Sequence, residues 1–216
     1  MDLRACIFDL DGVIVDTARY HFLAWKKLSD EIGVHFDHSI NEQLKGVSRM
    51  RSLETILNIG GIKLSEEQKL DLAEKKNIWF VEMVNQMTSE EILPGIENFL
   101  SKLEIEGILK AVGSASKNAK LALGKTDLLH RFEYIVDGTM VKKAKPNPEV
   151  FLKAAKEINV PPENCVVFED AIAGVRAAHN GGMKCIGVGE QKSLNEADLV
   201  IQSFEHLDLD RVRELL

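Results

Sequence analysis

Ala5-Cys6-Ile7-Phe8-Asp9-Leu10-Asp11-Gly12 begins with four apolar residues and ends on two acids and a glycine. A short continuous apolar run suits a strand buried on both faces, as in a parallel sheet. Ligands of open parallel sheets bind beyond the carboxyl ends of the strands, which is where Asp9 and Asp11 fall. Residues two apart in an extended segment share a face, so both acids can address one bound group while Leu10 faces the core. Gly12 then permits a sharp turn.

Similar Val- and Ile-rich runs recur at 109–113, 134–136, 165–168, 185–188 and 199–201. Helical periodicity lies between them: Ile96, Phe99, Leu100 and Leu103 form one stripe in 95–106, a second segment follows Pro148, and a third runs from about 173 to Gly181-Gly182. Strand and helix alternation predicts an α/β fold, a doubly wound parallel sheet formed by residues 1–15 and 93–216. Residues 16–92 break the alternation and read as an inserted helical domain. Phe22, Trp25 and Leu28 mark one helix, Leu53, Ile56 and Leu57 another, and Phe80, Val81, Val84 and Met87 a third. Ser65 and Gln68 fit a capping box at the start of that third helix. Connections near Val15-Asp16 and Leu93-Pro94 would let the insert move as a lid.

With 216 residues, 45% of them hydrophobic, the chain has enough apolar surface for a real core. Its net charge of -7 argues against nucleic acid and anionic membranes as partners, so a phosphorylated substrate would need a local basic pocket. No run approaches membrane-spanning length and the first residues lack a secretory pattern; a cytoplasmic monomer is the expected state. Cys6, Cys165 and Cys185 each lie in an apolar run and read as buried, reduced thiols.

Two carboxylates flanking a phosphate repel it and each other, by roughly 4 kcal/mol per unit-charge pair at 4 Å and an effective dielectric near 20. Glu169-Asp170 adds two more acids at another strand end, and such an oxygen-rich cluster suits a hard octahedral ion, Mg²⁺. Taken singly, each acid pair also fits an ordinary helix cap or turn. Ser114, in Val112-Gly113-Ser114-Ala115-Ser116, offers a hydroxyl and free backbone N–H groups where a helix would begin, or a plain helix cap. Lys145-Pro146 offers a cation on a loop, or a solvated lysine.

In order, Asp9-Leu10-Asp11-Gly12, Ser114, Lys145-Pro146 and Glu169-Asp170 resemble the four-motif pattern of the haloacid dehalogenase superfamily. The resemblance implies that Asp9 attacks phosphorus to form an aspartyl-phosphate and that Asp11 serves as general acid and base. It implies phosphate binding by Ser114, Ala115 and Lys145, and Mg²⁺ binding by Asp9, the backbone oxygen of Asp11, Glu169 and Asp170.

The insert is similar to the helical cap of that superfamily's sugar-phosphate mutases. The similarity rests on Thr17, His21 to Trp25, Asn41 to Arg49 (including Leu44, Lys45, Gly46, Val47, Ser48 and Arg49), Ser52, Lys76-Asn77, and Ser116, Lys117 and Asn118 in the core. His21 and Trp25, four apart, share a helix face, so one can contact Asp11 or a sugar. Arg49 is suited to fork onto a second phosphate, with Ser116 to Asn118 completing that site; otherwise Arg49 and Lys76 are surface charges and Trp25 is core. The resemblance implies conversion of beta-glucose 1-phosphate to glucose 6-phosphate through beta-glucose 1,6-bisphosphate. A capped sugar-phosphate phosphatase shares every core motif, and a catalytically silent binding protein shares the fold. Ala171 replaces the common serine after the acid pair, and Lys142 and Lys143 add charge beside Lys145 with two readings, phosphate attraction or surface decoration.

Overall fold

The computed structural model describes residues 2–216, so Met1, the first residue of the expected core segment, lies outside them. Among the described residues six strands form one parallel sheet: β1 (Ala5–Phe8), β2 (Leu109–Gly113), β3 (Tyr134–Val136), β4 (Cys165–Glu169), β5 (Lys184–Val188) and β6 (Leu199–Ile201). Their order across the sheet is β3-β2-β1-β4-β5-β6. The direction of travel reverses between β1 and β4, and a crevice opens at such a switch point. The carboxyl ends of β1, β2 and β4 all border it.

Period-two alternation divides the β1 side chains between two apolar layers. Cys6 and Phe8 join one with Phe99, Phe132, Phe168 and Phe204, and Ala5 and Ile7 join the other with Phe151, Val167 and Val175. Phe8 stacks on Phe168 of the neighbouring strand, with ring centroids 4.9 Å apart. Each strand is therefore covered on both faces, which is why the apolar runs are continuous. The covering helices include α5 (Ile96–Ile105), α7 (Glu149–Glu157) and α8 (Ile172–Asn180); α6 (Ala119–Lys125) and α9 (Leu209–Arg213) were not evident from periodicity. The three cysteines are buried and free, and burial pushes the Cys165 thiol up to about 12.

Four helices precede α5: α1 (Ala18–Glu31), α2 (His38–Glu42), α3 (Arg49–Ile59) and α4 (Glu66–Val84). They enclose an apolar cluster of their own around Trp25, Leu28, Phe36, Leu53 and Ile56, while Phe80 and Val84 continue into the sheet's layer. Ser65 caps α4 in the expected reciprocal box, accepting from Gln68 N while Gln68 Oε1 accepts from Ser65 N at 2.9 Å. The two connections are not independent. Asp16 N donates to Glu91 O and Leu93 N to Ile14 O, each at 2.9 Å, forming a short antiparallel bridge. The Glu91 carboxylate then accepts from Thr88 N, Tyr20 OH and Arg19.

No helix among the described residues is long and apolar enough to cross a membrane. Gly95, at φ 85°, turns the second connection into α5, and a Cβ there would strike the backbone of Phe204 and Glu205. Gly95→Ala is expected to cost at least about 2 kcal/mol, measured by urea unfolding. An unchanged midpoint would mean that the 203–206 segment yields without cost.

Candidate active site

The crevice is organised from beneath by Lys145. Its ammonium is buried, 2.6 Å from Asp9 Oδ1 and 2.5 Å from Glu169 Oε1, above the Phe151 ring. Burial works against the Lys145 charge, but the two carboxylates outweigh it and raise its pKa. Glu169 has both oxygens engaged, since Oε2 accepts from Ala171 N at 2.8 Å. Gly174 makes room for that carboxylate, because a Cβ there would overlap it. Glu169, one of the expected metal ligands, here meets Lys145 through Oε1 and Ala171 N through Oε2.

Asp9 and Asp170 face the crevice. Burial pushes the Asp9 carboxyl well above its usual range, and Lys145 only partly offsets this because Glu169, Asp11 and Asp170 add repulsion. Burial and Glu169 push Asp170 up to about 7, although Lys45 lies 3.5 Å away. More negative charge converges here than the two lysines compensate. That imbalance, together with the oxygen donors of Asp9, Asp11 and Asp170 in one pocket, fits Mg²⁺. Among the described residues no three His, Cys, Asp or Glu side chains form a group that could hold a metal ion by themselves.

Asp11 is held from the helical side. Thr17 stands at the N-cap of α1 but does not cap it; its hydroxyl donates to Asp11 Oδ1 at 2.5 Å. Burial raises the Asp11 carboxyl, but His21 and Thr17 more than reverse this and hold it below its usual range. His21 Nε2 lies 3.6 Å from Asp11 Oδ1 and has no hydrogen-bond partner, while Lys76 Nζ is 2.8 Å from Nδ1. When the charged Lys76 donates to Nδ1, a neutral ring carries its proton on Nε2, the atom that faces Asp11. Lys76 is itself sandwiched by Trp25 and Phe80, each ring centroid 4.8 Å away. Burial and the nearby Arg49 push it down to about 7.

Opposite Asp9, the loop after β2 folds on itself. Ser114 Oγ accepts from Ser116 N at 3.0 Å and Ser116 Oγ from Asn118 N at 3.2 Å. The helix expected to begin at Ser114 instead begins at Ala119, because these serine turns hold the backbone out of helical form. Gly138 lets the 137–139 loop approach, since a Cβ there would strike Ala115 O. Across the crevice Arg49 donates to Asn77 Oδ1 at 2.7 Å and reaches Glu74 at 3.4 Å. Asn118 Nδ2 donates to the same Asn77 oxygen at 2.9 Å.

One pocket is thus lined by Asp9, Asp11 and Asp170, by His21, Trp25 and Lys76, by residues 44–49 and Ser52, and by 115–118. Thr17, Ser114, Lys145 and Glu169 do not line it and support those that do. Lys142 and Lys143 lie outside it with exposed side chains, their backbone N–H groups donating to Glu149. Ala171 has no capping hydroxyl, and its small side chain admits Gly46, whose added Cβ would lie 3.4 Å away. Phe80, Asn77 and Gly138 line the pocket without an assigned site role from sequence. Phe80 reads as core by periodicity, and the asparagine and glycine carry no spacing that points inward.

Lys76 generates a pH-dependent expectation. Its folded pKa lies near 7, below the ordinary 10.5, so between these values the unfolded chain binds the extra proton. Relative to Lys76→Met, wild-type stability should rise with pH from 7 towards 10.5, by at most about 1.4 kcal/mol per pH unit. Urea melts of both chains across that window test this; parallel curves would place the Lys76 pKa at its ordinary value.

Comparison with known proteins agrees with this geometry. A family model described as haloacid dehalogenase-like hydrolase matches residues 3–182. Beta-phosphoglucomutase of Bacillus subtilis is 42% identical over 98% of this chain and 95% of its own. The crystal structure of beta-phosphoglucomutase from Clostridium difficile superposes with a TM-score of 0.94 at 44% identity, covering 98% of this chain and 96% of that one. Fructose-1-phosphate phosphatase of Escherichia coli is 33% identical over 84% of this chain and 94% of its own. By sequence along most of its length and by architecture, the chain belongs to the haloacid dehalogenase-like hydrolases.

Proposed function

We propose that the protein is a phosphoryl-transfer mutase that converts beta-glucose 1-phosphate to glucose 6-phosphate through an aspartyl-phosphate at Asp9. The observation that carries this reading is that Arg49 and residues 116–118 line the same pocket as Asp9. Asp9 would serve one phosphate of a sugar bisphosphate, and Arg49 with the 116–118 loop, joined through Asn77, would serve the other. A simple phosphatase needs only one. The similarity to two beta-phosphoglucomutases over nearly the whole chain supports the same choice.

In the forward half-reaction, the sugar 6-hydroxyl attacks the phosphorus on Asp9, the Asp9–phosphate bond breaks, and Asp11 takes the hydroxyl proton. The lowered Asp11 pKa leaves its carboxylate free of a proton and so open to accept one. The bisphosphate formed then turns around in the pocket. Asp9 attacks the phosphorus at carbon 1, the bond from phosphorus to the carbon 1 oxygen breaks, and Asp11 returns its proton to that oxygen, so that each cycle restores the phosphorylated Asp9 and the Asp11 carboxylate. Lys145 keeps Asp9 oriented and offsets its charge, and Ser114 shapes the loop whose N–H groups face the transferring phosphate. Mg²⁺ held by Asp9, the Asp11 carbonyl, Glu169 and Asp170 would supply charge neutralisation between phosphate and carboxylates. Residues 16–92, acting as a cap on the paired connections, would exclude water from the phosphorylated Asp9.

With Mg²⁺, beta-glucose 1-phosphate and a trace of the bisphosphate, glucose 6-phosphate should form with little inorganic phosphate. Phosphate release without isomerisation would instead establish the phosphatase, the reading that the fructose-1-phosphate phosphatase relative supports. Asp9→Asn should abolish the phosphorylated chain seen by intact mass. Losing a forked guanidinium contact of about 3 kcal/mol, Arg49→Ala should cost isomerisation about 100-fold. It should cost hydrolysis of a small aryl phosphate far less; equal losses in both assays would remove Arg49 from the second phosphate site.

A further inference from the structure

The acceptor shared by Arg49 and Asn118 is Asn77. Its Oδ1 takes a hydrogen bond from Arg49 at 2.7 Å and one from Asn118 Nδ2 at 2.9 Å, using both lone pairs of one oxygen. The two donors belong to different parts of the molecule: Arg49 opens α3 in the helical segment, and Asn118 precedes α6 beside the sheet. Asn77 sits on α4, the helix that also carries Lys76 and Phe80 into the pocket and that touches α6. Asn118 stands at the N-cap of α6 without capping it, so its side-chain amide is spent on Asn77.

We infer that Asn77 is a positioning residue that assembles the second phosphate site only when the helical segment is closed on the sheet. Neither donor is exhausted by the contact. Arg49 keeps further N–H groups and Asn118 keeps its second amide hydrogen, so both can still turn to a phosphate. An amide at position 77 orients the guanidinium without neutralising it, as a carboxylate there would. Glu74 supplies the only carboxylate contact to Arg49 among the described residues, and its side chain is exposed at the pocket's edge. When α4 lifts, Arg49 departs with Asn77 and Asn118 is left behind, so the site is divided. A second phosphate therefore rewards closure, and closure keeps water from the phosphorylated Asp9. This inference rests on the mutase reading for its catalytic consequence, but its structural content stands apart from the reaction.

The test uses the full chain carrying Asn77→Ala. Asn77 is half-buried in a helix, where alanine is the better helix former, so urea melts should show no loss of folding. The KM for beta-glucose 1-phosphate should rise about tenfold, with kcat changed much less, and phosphate released per glucose 6-phosphate should rise several-fold. In an Asn118→Ala background the same substitution should raise KM by a smaller factor, because one of its two partners is already gone. A fall in kcat with KM and product partition unchanged, or an equal effect in both backgrounds, overturns the inference. Backbone hydrogen exchange without substrate reads the latch independently of the reaction. Exchange across 114–119 and 72–82 should quicken severalfold in Asn77→Ala, and unchanged protection overturns the latch. Absence of glucose 6-phosphate from the wild-type chain would overturn the mutase reading, leaving the exchange experiment to decide the role of Asn77.

Discussion

The site depends on one buried ammonium. Lys145 places its charge between Asp9 and Glu169, at the point where the sheet's switch brings the ends of β1 and β4 side by side. Without it, two carboxylates would face each other in a medium that solvates neither, and one would take up a proton. Glu169 in turn is held by Ala171 N and by the space that Gly174 leaves. Asp9 is thus positioned by a chain of contacts running from the start of α8 through Glu169 and Lys145. Replacing any member exposes an unpaired charge in the core rather than removing a surface ornament.

A second chain of contacts approaches Asp11 from the opposite direction. Thr17 forgoes its cap on α1 to donate to Asp11, His21 faces the same carboxylate, and Lys76 fixes the ring from behind. All three belong to the helical segment, whereas Asp11 follows β1. Asp9 and Asp11 are two residues apart in sequence, yet they are held by different parts of the molecule. Movement of the helical segment would change the surroundings of Asp11 far more than those of Asp9. In the proposed reaction such an arrangement would tie proton transfer at Asp11 to closure while leaving Asp9 in place.

The strands were legible because double coverage by helices demands unbroken apolar runs, and all six lie where those runs fall. Longer helices were legible from their stripes and from the Ser65 box. Five-residue α2 and α9 and seven-residue α6 were not, since one or two turns give too little periodicity. The expected helix start at Ser114 failed because serine hydroxyls can satisfy the backbone in turns as well as at caps. Which residues gather in the pocket followed largely from their motifs, but how they divide the work did not. The commitment of Glu169 to Lys145 and Ala171, and of Asn77 to Arg49 and Asn118, depends on which atoms meet across distant segments. No local spacing encodes that.

The fate of the phosphoryl group on Asp9 is the most direct measure of whether this pocket serves transfer or hydrolysis. The chain would be phosphorylated with beta-glucose 1,6-bisphosphate, freed of ligand, and followed by intact mass in Mg²⁺ with and without beta-glucose 1-phosphate. A mutase pocket should hold the group when no sugar is present and lose it rapidly to the sugar when it is, with bisphosphate and glucose 6-phosphate as products. Loss at the same rate in both samples, with the group recovered as inorganic phosphate, would contradict transfer as the work of this site.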